Sequence, residues 1–79
     1  MKKPFKFTFP VGLITEPIIY KMGQKFDVIT NIRRANVQED MGWVILELEG
    51  TNKSIKDSVQ WVSSTGTRVD EIGGDVIEG

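Results

Sequence analysis

The acidic residues come first among those whose type and spacing could do chemistry. Glu47 and Glu49 lie two apart, and Glu39-Asp40 stand shortly before them, so a carboxylate pair for acid-base work or metal binding is formally present. Such a pair acts only where a pocket perturbs its ionisation or where further ligands complete a coordination shell. The 79 residues contain no histidine and no cysteine, which removes the usual general base, thiolate nucleophiles, disulfides and the common zinc and iron-sulfur ligand sets. Ser54, Ser58, Ser63 and Ser64 offer hydroxyls, but no imidazole can take their proton and none sits in a nucleophile elbow. Gly12, Gly42, Gly50 and Gly66 are spaced as single turns, not as a phosphate-binding loop. The expectation is a chain that is not an enzyme and holds no metal or cofactor, with Glu47 paired across strands to a lysine such as Lys6.

Recognition is better served than catalysis. The strand-like run 27–38 carries Asn31-Ile32 at its middle, an uncharged polar residue among apolar ones. An asparagine amide both donates and accepts, a property that ligand recognition uses more often than catalysis does. Its other use is to satisfy backbone groups at an irregularity of the strand.

The elements that would position these residues follow from hydrophobic periodicity. Phe5, Phe7 and Phe9 alternate with Lys6 and Thr8 as a first strand, which Pro10 ends. Thr15 is placed to cap a helix that passes Glu16-Pro17 and reaches about Phe26, with Ile18, Met22 and Phe26 as its buried stripe and Gly23 as a weak point. A second strand spans 28–38. Its length prevents one pleat parity from burying both Ile32 and Val37, so a bulge is expected between Arg33 and Asn36. After a turn at 39–42, a third strand sets Val44, Leu46 and Leu48 against Trp43, Ile45, Glu47 and Glu49. Asn52 or Ser54 caps a second helix with the stripe Ile55, Val59 and Val62. Trp61 falls at the edge of that helix, Gly66 stops it in the left-handed region, and 67–72 forms the last strand.

The order βαββαβ specifies an α+β ferredoxin-like sandwich: a four-stranded antiparallel sheet with two helices on one face. Strands one and three are then central neighbours. Phe5, Phe7, Phe9, Val44, Leu46 and Leu48 lie under the helices, and Lys6, Trp43, Ile45 and Glu47 lie on the open face. Trp43 and Ile45 are expected to pack against a partner such as a second sheet, because exposed apolar residues on a sheet face call for one.

Seventy-nine residues with 39% hydrophobic content make one domain with one small core, taken as residues 1–73 with 74–79 as a flexible tail or linker. A formal charge of -1 with interleaved signs presents no dense basic field, so nucleic acid is not an expected partner. The third strand has a superficial likeness to that of RNA-recognition motifs, but only Trp43 of its two display positions is aromatic and Glu47 would meet the phosphate backbone. No apolar run approaches the roughly 20 residues of a membrane span, and Met1-Lys2-Lys3-Pro4 does not open a signal sequence. Neither membrane insertion nor secretion is expected, which points to the cytoplasm.

The wording of the chain adds a resemblance. Phe7-Thr8-Phe9-Pro10, Glu16-Pro17-Ile18-Ile19, Asn31-Ile32, Met41-Gly42 followed by Val44 to Gly50, then Trp61 and Gly66, taken in order, resemble the NIL domain, from Lys6 to about Ile72. That family is named for an Asn-Ile-Leu triplet in its second strand and is similar in fold to amino-acid-binding ACT domains. The third letter of the triplet is Arg33 here, which makes the strand more polar. The resemblance implies a regulatory domain like that of the ATPase subunit of methionine ABC importers, which dimerises through its sheet and binds L-methionine. Carried over, the triplet's asparagine is Asn31, with Ile32 beside it; no family motif covers the apolar contact for a thioether, for which Ile32, Val37 and Met41 are the candidates. NIL domains also occur in ferredoxins and as small separate proteins. The alternative it implies is therefore an assembly module for a ferredoxin or sulfur-metabolism protein that binds no small ligand.

Overall fold

The computed structural model describes residues 1–10, 12, 17–38 and 41–72. The expected helix cap Thr15, the neighbouring Glu16, the turn residues Glu39 and Asp40 and the expected tail lie outside the described residues.

Six elements run in the order β1 (Lys2–Phe9), α1 (Ile18–Lys25), β2 (Ile29–Val37), β3 (Gly42–Glu49), α2 (Asn52–Ser64) and β4 (Arg68–Glu71). The sheet order is β2-β3-β1-β4, and all three pairings are antiparallel. This is the ferredoxin-like α+β topology, with β1 and β3 at the centre and β2 and β4 as edges.

Alternation places the core. Phe5 stands opposite Leu46 and Phe7 opposite Val44, so one face of the central pair is continuously apolar. Phe7, Leu46 and Leu48 are fully buried there, and Phe5, Phe9 and Val44 nearly so. Phe7 meets the rings of Phe5 and Phe9 edge-on at 6.5 and 6.4 Å, the arrangement in which ring edges meet ring faces. From α1, Ile18 and Met22 enter this core, and Phe26, at the end of the helix, packs half-buried against it. Helix α2 contributes Ile55 and Val62, with Val59 only half-buried and Ser58 fully buried in its place on the stripe. The Ser58 hydroxyl is satisfied locally, donating to the Ile55 carbonyl at 2.8 Å.

Helix boundaries differ from expectation in their caps. The N-cap of α2 is Thr51, not Asn52 or Ser54: its hydroxyl oxygen accepts from the Ser54 backbone N–H at 3.0 Å. Asn52 and Ser54 are the first and third helical residues, and Ser54 supplies the donor that Thr51 satisfies. At the other end Gly66 has φ 101°, the left-handed conformation expected of it. Trp61 lies half-buried at the helix edge, 6.2 Å from the Phe26 ring, with the Lys25 ammonium 5.5 Å from its centre.

Candidate functional site

β2 is the least covered element of the sheet. Every residue in it except Thr30 is exposed, because β3 flanks it on one side only. Four of the exposed large apolar side chains, Ile29, Ile32, Val37 and Met41, belong to this strand and the turn after it.

The expected bulge is present. Ile32 pairs with Leu46 and Arg34 with Ile45, leaving Arg33 as the extra residue. Its consequence can be read from parity. Ile32 stands opposite Leu46, Ala35 opposite Val44 and Val37 opposite Gly42, all on the helix side, whereas Asn31 opposite Glu47, Arg34 opposite Ile45 and Asn36 opposite Trp43 belong to the open side. Without the extra residue Ile32 and Val37 would point to opposite faces. The bulge brings them to one face but does not bury them, since they remain 58% and 65% exposed.

The four residues anticipated as ligand contacts are therefore not brought together on one face. Asn31 lies on the open face; Ile32 and Val37 lie on the other; Met41 sits beyond the strand, where its carbonyl accepts from the Gln38 N–H at 2.7 Å. Asn31 does not serve the bulge, for its side chain makes no hydrogen bond among the described residues.

Across the open face, charge and apolar surface alternate. Glu47 takes Arg33 as its ion partner at 4.0 Å, not Lys6 as expected. Register explains the exchange: Lys6 stands opposite Ile45, two residues from Glu47 along β3, whose own opposite number on β1 is Pro4, and the Lys6 ammonium lies over the Trp43 ring at 5.2 Å. Trp43 and Ile45 occupy the open face as expected, but both are half-buried, since cross-strand neighbours on β1 and β2 flank them. Arg34 has no ion partner among the described residues. Sequence reasoning missed the group of three unlike charges, Glu47 with Arg33 and Arg34, that lies beside Asn31. The signal for it was the bulge: alternation already puts Arg33 on the same side as Asn31, and the extra residue brings Arg34 there as well.

No group of three or more acidic residues able to hold a metal ion occurs among the described residues, and no helix there is long and apolar enough to cross a membrane. Away from this face, the Lys53 ammonium has its pKa raised by the hydrogen bond to Asp57 and by the charge of that carboxylate.

With this geometry in view, the NIL domain family model matches residues 4–71. The chain belongs to the NIL domain family. The match extends to both ends of the sheet and bears out the resemblance carried by the ordered motifs. Among solved structures, this NIL domain is similar to the C-terminal domain of an ABC transporter ATP-binding protein from Enterococcus faecalis, with a TM-score of 0.81 and 21% identity over 91% of this chain and 84% of that one. At that identity the likeness establishes the fold. No curated protein sequence matches the chain.

Proposed function

We propose that this NIL domain is a non-catalytic regulatory module that binds a small amino acid, L-methionine first among them, and forms a homodimer through its sheet. The observation that carries the reading is the Asn31 amide, exposed and without an internal partner, set beside Glu47 and the arginines of the bulge. A zwitterionic amino acid presents the complementary groups. Its ammonium suits Glu47, its carboxylate suits Arg34, and Asn31 can donate to one and accept from the other. Trp43 and Ile45 supply apolar surface for the dimer on the same face. Ile32, Val37 and Met41 join the contact from around the edge, because a ligand or second copy lying along an edge strand reaches both of its sides.

In this reading the partner that feels the ligand is a transporter ATPase subunit in the cytoplasm, as the likeness to the Enterococcus faecalis domain suggests. Coupling needs no chemistry. The ligand favours one dimer arrangement by its differential affinity, and a partner sensitive to that arrangement responds.

Calorimetry with L-methionine on the whole chain, beside an Asn31→Ala variant, tests the ligand. Saturable heat in the parent and binding about tenfold weaker in the variant are expected, the scale of one or two hydrogen bonds to charged groups. Absence of heat at millimolar methionine would remove this ligand and leave the assembly role. Sedimentation tests the dimer separately: Trp43→Glu should yield a monomer, and an unchanged mass would place the interface elsewhere.

A further inference from the structure

A cleft of about 280 Å³ lies on the helix side of the sheet where α2 passes over the β1–β4 edge. It shares no residue with the face around Asn31. Its floor is apolar, formed by Phe5, Ile55 and Val59. The rim is polar and arises from two periodicities. Asn52, Lys56 and Gln60 follow at intervals of four and make one ridge of α2. On the sheet, Lys3 lies two residues before Phe5 on the same side of β1, and Glu71 stands opposite Phe5 on β4.

These five rim side chains share a property: none makes a hydrogen bond or ion pair among the described residues. Neighbouring charges behave differently, for Lys53 pairs with Asp57 at 2.8 Å and Arg68 with Asp70 at 3.0 Å. Two ammonium groups and two amides thus surround an apolar floor with a single carboxylate opposing them.

We propose that this cleft binds a small organic monocarboxylate with a short branched apolar tail. The tail lies on Phe5, Ile55 and Val59, where its burial is driven by removal of apolar surface from water. The carboxylate sits between Lys3 and Lys56, whose charge-assisted hydrogen bonds fix its direction. Size and charge set the class. The volume lies just below the range of ligand pockets, about 300–1,000 Å³, which favours a small ligand, and Glu71 opposes a second negative charge on it.

The test uses the whole chain and isocaproate as probe, followed by amide NMR spectra. Expected are saturable shifts centred on Ile55, Lys56, Val59, Gln60 and Glu71. Replacing the probe by its neutral amide, or the protein by a Lys3→Gln/Lys56→Gln variant, should weaken binding about tenfold or more. Val59→Trp, which fills the cleft while leaving both lysines, should abolish the shifts. Well-dispersed spectra confirm that each variant is folded. The proposal is overturned if isocaproate gives no saturable shifts, if the shifts centre on other residues, if the neutral amide binds equally well, or if either folded variant binds as the parent does.

Discussion

At the scale of single residues, the clearest constraint is a glycine that no turn signal distinguished from the others. A Cβ on Gly50 would lie 2.8 Å from the backbone carbonyl oxygen of Asp27, and no flexible side chain is there to yield. Gly50 thus lets the end of β3 pass close to the segment between α1 and β2, and its N–H donates to the Met1 carbonyl at 3.0 Å. Gly50→Ala should therefore destabilise by about 1–3 kcal/mol, as overpacking against backbone does. Thermal denaturation checks it, since each kcal/mol moves the midpoint by about 4–8 °C in a domain of this size. The α2 cap is a second residue-scale test. Thr51→Ala removes the acceptor for the Ser54 N–H and should cost about 1 kcal/mol, whereas Asn52→Ala, at one of the two positions that sequence reasoning offered as the cap, should cost little. Three capping residue types stand within four positions there, and composition cannot say which has the extended φ and ψ of a cap.

At the scale of elements, the strands with one buried face were the legible ones. β1 and β3 alternate strictly, and every side chain assigned to their two faces lies where the period of two puts it. β2 was legible in its bulge, because the clash of parity between Ile32 and Val37 is a sequence-level fact. It was not legible in its exposure. Apolar residues on an edge strand read like core residues until the neighbour that fails to cover them is known. The candidate site suffered for the same reason: Asn31, Ile32, Val37 and Met41 are close in sequence, yet the pleat divides them between faces. Glu47 taking Arg33 in place of Lys6 is also a matter of register, which periodicity alone does not supply. The helices yield a prediction of the opposite sign to Gly50. Gly23 lies within α1, and a Cβ there would meet nothing within 4 Å. Gly23→Ala should stabilise by about 0.5–1 kcal/mol, chiefly by restricting the unfolded chain, and urea denaturation should show a higher midpoint with an unchanged slope.

For the molecule as a whole, the distribution of exposed apolar surface argues for association. A domain this small buries a modest fraction of its chain, so a partner that covers more surface adds a large share of the total stability. Ile29, Ile32 and Val37 lie along an edge strand whose outer backbone groups have no neighbour in the sheet, and the half-buried Trp43 and Ile45 adjoin it on the open face. If two copies join through this region, folding and dimerisation are linked by mass action. The thermal midpoint should then rise with protein concentration, by a fixed increment for each decade, and the parent chain should lose that dependence on Trp43→Glu substitution. The substitution leaves Phe7, Leu46 and Leu48 untouched on the far face, so the monomer should still unfold cooperatively, at a lower midpoint. A midpoint independent of concentration in the parent would exclude a coupled dimer. Addition of L-methionine separates assembly from sensing: a ligand bound by the dimer raises the parent's midpoint in proportion to the logarithm of its concentration and leaves the Trp43→Glu monomer unmoved, whereas a ligand held within one protomer raises both.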